Sequence, residues 1–80
     1  MRIEWHGDGG YVLYGYVDSP GYGLKENGGR MKYFLGPWKD EPLVVDVFKP
    51  NRGQMDLDIP MPSIETGKAW CQMVEDTGAY

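Results

Sequence analysis

Only one stretch of this 80-residue chain carries a helical period, and it comes after every segment with strand character. Ile64, Gly67, Trp70, Cys71 and Val74 recur at a spacing of about 3.6 residues. Glu65, Lys68, Gln72, Glu75 and Asp76 fill the rest of the circumference. Ser63 is placed to cap the start, Glu65 suits the positive end of the helix dipole, and Gly78 suits a left-handed stop. The spacing predicts one amphipathic helix of about three turns. Several strands and one helix make a two-layer α+β domain: an antiparallel sheet of four to five strands with the C-terminal helix packed on one face. A single helix covers one face of such a sheet and leaves the other without an evident cover.

The strands follow from period two and from turn residues. Residues 2–5 (RIEW) and 11–17 (YVLYGYV) flank the turn HGDGG. Residues 31–35 (MKYFL), 43–48 (LVVDVF) and 55–59 (MDLDI) follow, separated by GPWKDEP and KPNRGQ. Residues 18–29 form a long loop dense in glycine. The stretch YVLYGYV is unusual because both of its faces are apolar or aromatic. A strand with one wet face alternates apolar with polar.

Two faces can be assembled from this alternation. Leu13, Gly15 and Val17, with Met31, Tyr33, Leu35, Leu43, Val45, Val47, Met55, Leu57 and Ile59, make a small core under the helix. Gly67 in mid-helix costs roughly 1 kcal/mol against alanine and is explained by close approach to the sheet. Gly15 is then a candidate hole for the Trp70 knob, or else a bulge. The opposite face collects Val12, Tyr14, Tyr16, Lys32, Phe34, Val44, Asp46, Phe48, Asp56 and Asp58. Tyr14, Tyr16, Phe34, Asp46, Phe48, Asp56 and Asp58 are the expected partner-binding residues, since tyrosines beside charges have the composition of binding hot spots. The competing reading folds loop 18–30, with Tyr22 and Leu24, back over this face.

Catalytic chemistry has little to stand on. His6 is the only histidine, expected in a surface turn with no nucleophile brought to it. Cys71 is the only cysteine, so no internal disulfide forms, and its place on the apolar stripe predicts a buried, inert thiol. Asp56 and Asp58 at i, i+2 are a weak cation signal, better read as a solvated face. Glycines in GDGGYV and GYGLKE lack phosphate-loop spacing and context. The expectation is therefore a non-enzyme with no catalytic residue, no metal and no cofactor.

Charge narrows the partner. Residues 1–39 hold four acids and five bases, and residues 40–80 hold eight acids and three bases, giving +1 and −5 within a net −4. An acidic half argues against duplex DNA and for a basic protein partner. The opening MRIEWHGDGG has no apolar core of a signal peptide, and no run approaches membrane-spanning length, so the expectation is a cytoplasmic protein of one domain spanning 1–80. Two alternatives remain open: a single-strand nucleic-acid module stacking bases on Tyr14, Tyr16 and Phe34 near Lys32 and Arg30, and a domain that forms a homodimer through its open face.

Size, acidity, a lone cysteine and strands followed by a short final helix (PSIETGKAW) give a layout that resembles small bacteriophage accessory proteins of the anti-CRISPR kind. The resemblance implies a stoichiometric inhibitor that docks on a basic, nucleic-acid-binding surface of a host complex, such as a CRISPR effector subunit, in the host cytoplasm. It carries no residue roles.

Overall fold

The computed structural model describes residues 2–7, 12–23, 28–50, 53–54 and 57–79. Its strands are β1 (Glu4–Gly7), β2 (Leu13–Tyr16), β3 (Met31–Trp38), β4 (Glu41–Lys49), β5 (Gly53–Gln54) and β6 (Ile59–Pro60), followed by helix α1 (Ile64–Thr77). All pairings are antiparallel, in the order β1-β2-β3-β4-β5, and β6 also pairs with β4. The α+β architecture is the one the sequence predicts, a sheet with one C-terminal helix.

The helix begins and ends where its cap residues place it. Ser63 is extended, its hydroxyl oxygen accepts from the Thr66 N–H at 3.1 Å, and Gly78 is left-handed at φ 69° with its N–H donated to Val74 O. Gly67, Cys71 and Val74 are buried. A Cβ on Gly67 would lie 2.5 Å from Leu35 Cδ1, so the glycine is where α1 rides directly on β3. Ile64, expected on the buried stripe, is instead 44% exposed: it is the first helical residue, ahead of the stretch that meets the sheet.

The core beneath the helix joins Ile3, Val17, Tyr33, Leu35, Val45, Val47, Cys71 and Val74, with Leu13, Leu43, Leu57, Ile59 and Trp70 packed on it. Gly15 is a hole, but not for Trp70. A Cβ there would meet Ile3, Tyr33 and Trp5 at 2.9–3.1 Å, so the space is used by the neighbouring strands.

Several boundaries differ from the sequence reading. His6 and Gly7 extend β1 instead of opening a turn. β3 continues through Gly36 and Pro37 to Trp38, and the turn shrinks to Lys39 and Asp40. Pro37 has no N–H for the ladder, and the β3–β4 register shifts between Gly36 and Trp38. Of the regular strand expected at 55–59, Leu57 and Asp58 are not in a strand and Ile59 opens β6; Asp58 adopts a left-handed φ of 47° just before it. Met55 and Asp56 lie outside the described residues.

The largest departure is a bulge. Gly15 pairs with Tyr33, but Tyr16 pairs with Met31, so Lys32 is an extra residue in β3. A bulge breaks the alternation of faces at that point. Lys32, expected on the uncovered face, is 4% exposed and lies 3.0 Å from Glu75 Oε1 on α1. Met31, expected in the core under the helix, is buried opposite Tyr16 and outside that cluster. From the loop after β2, Tyr22 packs on the core cluster, and Lys32 Nζ sits 4.9 Å from its ring centre. Leu24 lies outside the described residues.

Candidate docking face

Away from α1, register places Glu4 opposite Tyr16, His6 opposite Tyr14, Tyr14 opposite Phe34 and Phe34 opposite Asp46. Residues paired across antiparallel strands share a face. Tyr14, Tyr16 and Phe34 are therefore brought together as the sequence predicts, and each is half-buried. With His6 and Trp38 they make a row of two contacting groups, His6–Tyr16 and Tyr14–Phe34–Trp38. His6 meets Tyr16 at 4.9 Å, Tyr14 meets Phe34 at 6.0 Å, and Phe34 meets Trp38 at 6.5 Å, with the planes steeply tilted in every pair. These separations are those of edge-to-face aromatic contacts. Trp38, at the end of the row, is 41% exposed.

Sequence reasoning missed two members of this row. Gly36 and Pro37 make GPWKDEP read as a turn, yet 34, 36 and 38 continue the period-two pattern of the face through Trp38. HGDGG reads as a turn on its Asp-Gly-Gly, yet His6 continues the alternation of Glu4 within β1. The His6 Nε2 is 2.8 Å from Glu4 Oε1, and both side chains are more than half exposed.

The expected carboxylates fare differently. Asp46 is completely buried. Its Oδ1 accepts from the N–H of Leu57 at 2.9 Å and of Val47 at 3.2 Å, so it ties the segment before β6 to β4 and cannot itself meet a partner. Val44 on the same side is also fully buried, which closes the middle of β4 and leaves the open area over β1, β2 and β3, with Glu41 at the start of β4. Asp58 is 3.8 Å from Lys39 Nζ, and its side chain is one-quarter exposed. Phe48 is half-buried at the far end of β4, opposite Gln54. Asp56 lies outside the described residues. The exposed acidic groups that share the ring face are Glu4, opposite Tyr16, and Glu41, opposite Trp38.

The titratable groups of the interior are enclosed. Glu75 Oε1 accepts from Lys32 Nζ and from the Tyr33 hydroxyl at 2.8 Å. Burial, and then the hydrogen bond to Glu75, pushes the Tyr33 hydroxyl far above its ordinary range. Burial pushes the Cys71 thiol up to about 12, which leaves it protonated and unreactive at neutral pH. Among the described residues, no three His, Cys, Asp or Glu side chains gather as a metal site. Among them, too, no helix is long and apolar enough to cross a membrane.

Comparisons with protein-family models, with curated proteins and with solved structures find no match to this chain.

Proposed function

We propose that the protein is a non-enzymatic interaction module that docks its aromatic sheet face on a basic protein partner. In the manner of the inhibitors its layout resembles, it would block the partner's nucleic-acid-binding surface. The observation that carries this reading is the row His6, Tyr16, Tyr14, Phe34 and Trp38, half-buried to exposed, on the side of the sheet away from the helix. Rigid aromatic rings supply contact area at little entropic cost, and such residues dominate interface energetics. Glu4 and Glu41 at its two ends and a net charge of −4 favour a cationic partner and faster encounter with it.

The same geometry weighs against single-stranded nucleic acid. A stacking platform needs cations to meet the phosphates. The bulge sends Lys32 to Glu75 on the other side of the sheet.

A photo-crosslinking residue placed at Trp38, and separately at the exposed helix position Met73, tests the reading in the native host. The expected result is one protein captured from position 38 and not from 73. That purified protein should bind the native chain and lose at least tenfold in affinity to the Tyr14→Ser/Trp38→Ser variant. Saturable, salt-sensitive binding of short oligonucleotides would replace this reading with the nucleic-acid module. A dimer in light scattering that the same double variant dissolves would replace it with self-association.

A further inference from the structure

We infer that the docking face is a receiving surface for arginine side chains, so that the partner presents guanidinium groups to it. This inference rests on the docking reading above and names the chemistry that satisfies it.

The two sides of the sheet treat their rings differently. On the helix side the chain supplies its own cations. Lys32 Nζ lies 4.9 Å from the Tyr22 ring centre and 5.4 Å from that of Tyr33, and Lys68 Nζ lies 5.9 Å from that of Trp5. These are cation–π distances. On the open side, no lysine or arginine among the described residues lies over Tyr14, Tyr16, Phe34 or Trp38. The charges that the strand pairing places beside those rings are carboxylates: Asp46, fully buried opposite Phe34, and the exposed Glu4 and Glu41. His6, against Tyr16, already shares one Glu4 oxygen. The surface therefore offers aromatic faces and carboxylates together, with the matching cation left for another molecule to bring.

Arginine fits this better than lysine. The rings stand along a sheet surface, tilted by 59° and 76° in the Tyr14–Phe34 and Phe34–Trp38 pairs, and do not close into a cage. An ammonium is compact and strongly hydrated and gains most when enclosed. A guanidinium is flat, weakly hydrated, stacks on an open ring and still forks its donors to a carboxylate. Glu4, with its side chain 65% exposed, can be reached by such a fork beside Tyr16.

The test titrates the full chain with three short peptides of the same glycine-spaced design, bearing arginine, lysine or citrulline, followed by NMR of backbone amides and aromatic rings. The arginine peptide should shift the ring signals of Tyr14, Phe34 and Trp38 saturably. The lysine peptide should bind at least fivefold more weakly, and the citrulline peptide, flat but uncharged, at least tenfold. Glu4→Gln, an exposed change that leaves the rings in place, and Trp38→Ala should each weaken arginine binding several-fold while the remaining spectrum keeps its dispersion. Equal binding of arginine and lysine, or shifts confined to the acidic positions of α1, would overturn the inference. A partner captured at position 38 alongside no arginine preference sinks this inference alone; no capture and no ring shifts sink the docking reading with it.

Discussion

Lys32 Nζ lies 3.0 Å from Glu75 Oε1, with only 5% of the lysine side chain and 11% of the glutamate side chain exposed. The pair fastens the bulged part of β3 to the last turns of α1, and the Tyr33 hydroxyl shares the same carboxylate oxygen. Removing one member of a buried pair leaves an uncompensated charge. Glu75→Gln keeps an acceptor for Tyr33 and removes the charge opposite Lys32, so it should cost about 3 kcal/mol in urea denaturation. Lys32→Met combined with Glu75→Gln should recover most of that loss. A single-variant cost below about 1 kcal/mol would show that the pair behaves as a solvated surface contact.

Alkali should destabilise the protein through Cys71 and Tyr33. Cys71 and Tyr33 are neutral when protonated, and burial raises both above their ordinary values of 9.0 and 10.0. The unfolded chain therefore loses these protons first as pH rises. The stabilisation they provide is complete below pH 9 and drains away above it, with Cys71 titrating at about 12 in the folded state and Tyr33 higher still. Each group contributes a slope of about −1.4 kcal/mol per pH unit above its unfolded pKa. Stability from denaturant melts between pH 8 and 11 should fall with this slope, and Cys71→Ala should remove the part that begins at pH 9. A flat profile to pH 10.5 in the native chain would contradict the assignment.

Gly67 and Leu35 define how closely α1 can approach the sheet. In an exposed helix interior, glycine to alanine gains roughly 1 kcal/mol. At position 67 the added methyl would come within 2.5–3.4 Å of Leu35 Cδ1, Cδ2 and Cγ, and Leu35 has no exposed surface into which to turn. Overpacking of this kind costs about 1–3 kcal/mol. Gly67→Ala should therefore destabilise by about 1 kcal/mol net, and Leu35→Val should be less costly in its presence than alone. Calorimetry of the four proteins in this cycle measures both. A stabilising Gly67→Ala would mean that the interface yields without strain.

What the sequence made legible is what local chemistry decides. Ser63 and Gly78 set the helix ends through groups within four residues of them, and simple alternation assigned Tyr33, Leu35, Val45 and Val47 to the covered face. Two features resist such reading. A bulge adds one residue to one strand, and nothing in GRMKYFL marks Lys32 as the extra one. Gly36 and Pro37 read as breakers and end the strand before Trp38 in any local reading; the sheet accommodates the proline by a register shift instead. The burial of Asp46, which alternation places on a solvent-facing side, depends on a contact eleven residues distant in the chain.

That contact makes Asp46 a structural residue with a measurable signature. Its Oδ1 receives the Leu57 and Val47 N–H groups inside a fully buried site. Asp46→Ala would strand both donors, and a buried unsatisfied group costs about 1–3 kcal/mol. Asp46→Asn keeps a carbonyl oxygen and should cost less, provided the amide presents it to Leu57. Hydrogen exchange separates this from a docking role. In Asp46→Ala, protection at Leu57 should fall by at least tenfold, while the Gly67 amide, bonded to Ser63 O at 3.0 Å in the helix, stays protected. Association with a partner bound through Trp38 should be unchanged in that variant once its folded fraction is equal to native. A slowed association with undiminished Leu57 protection would return Asp46 to the binding surface.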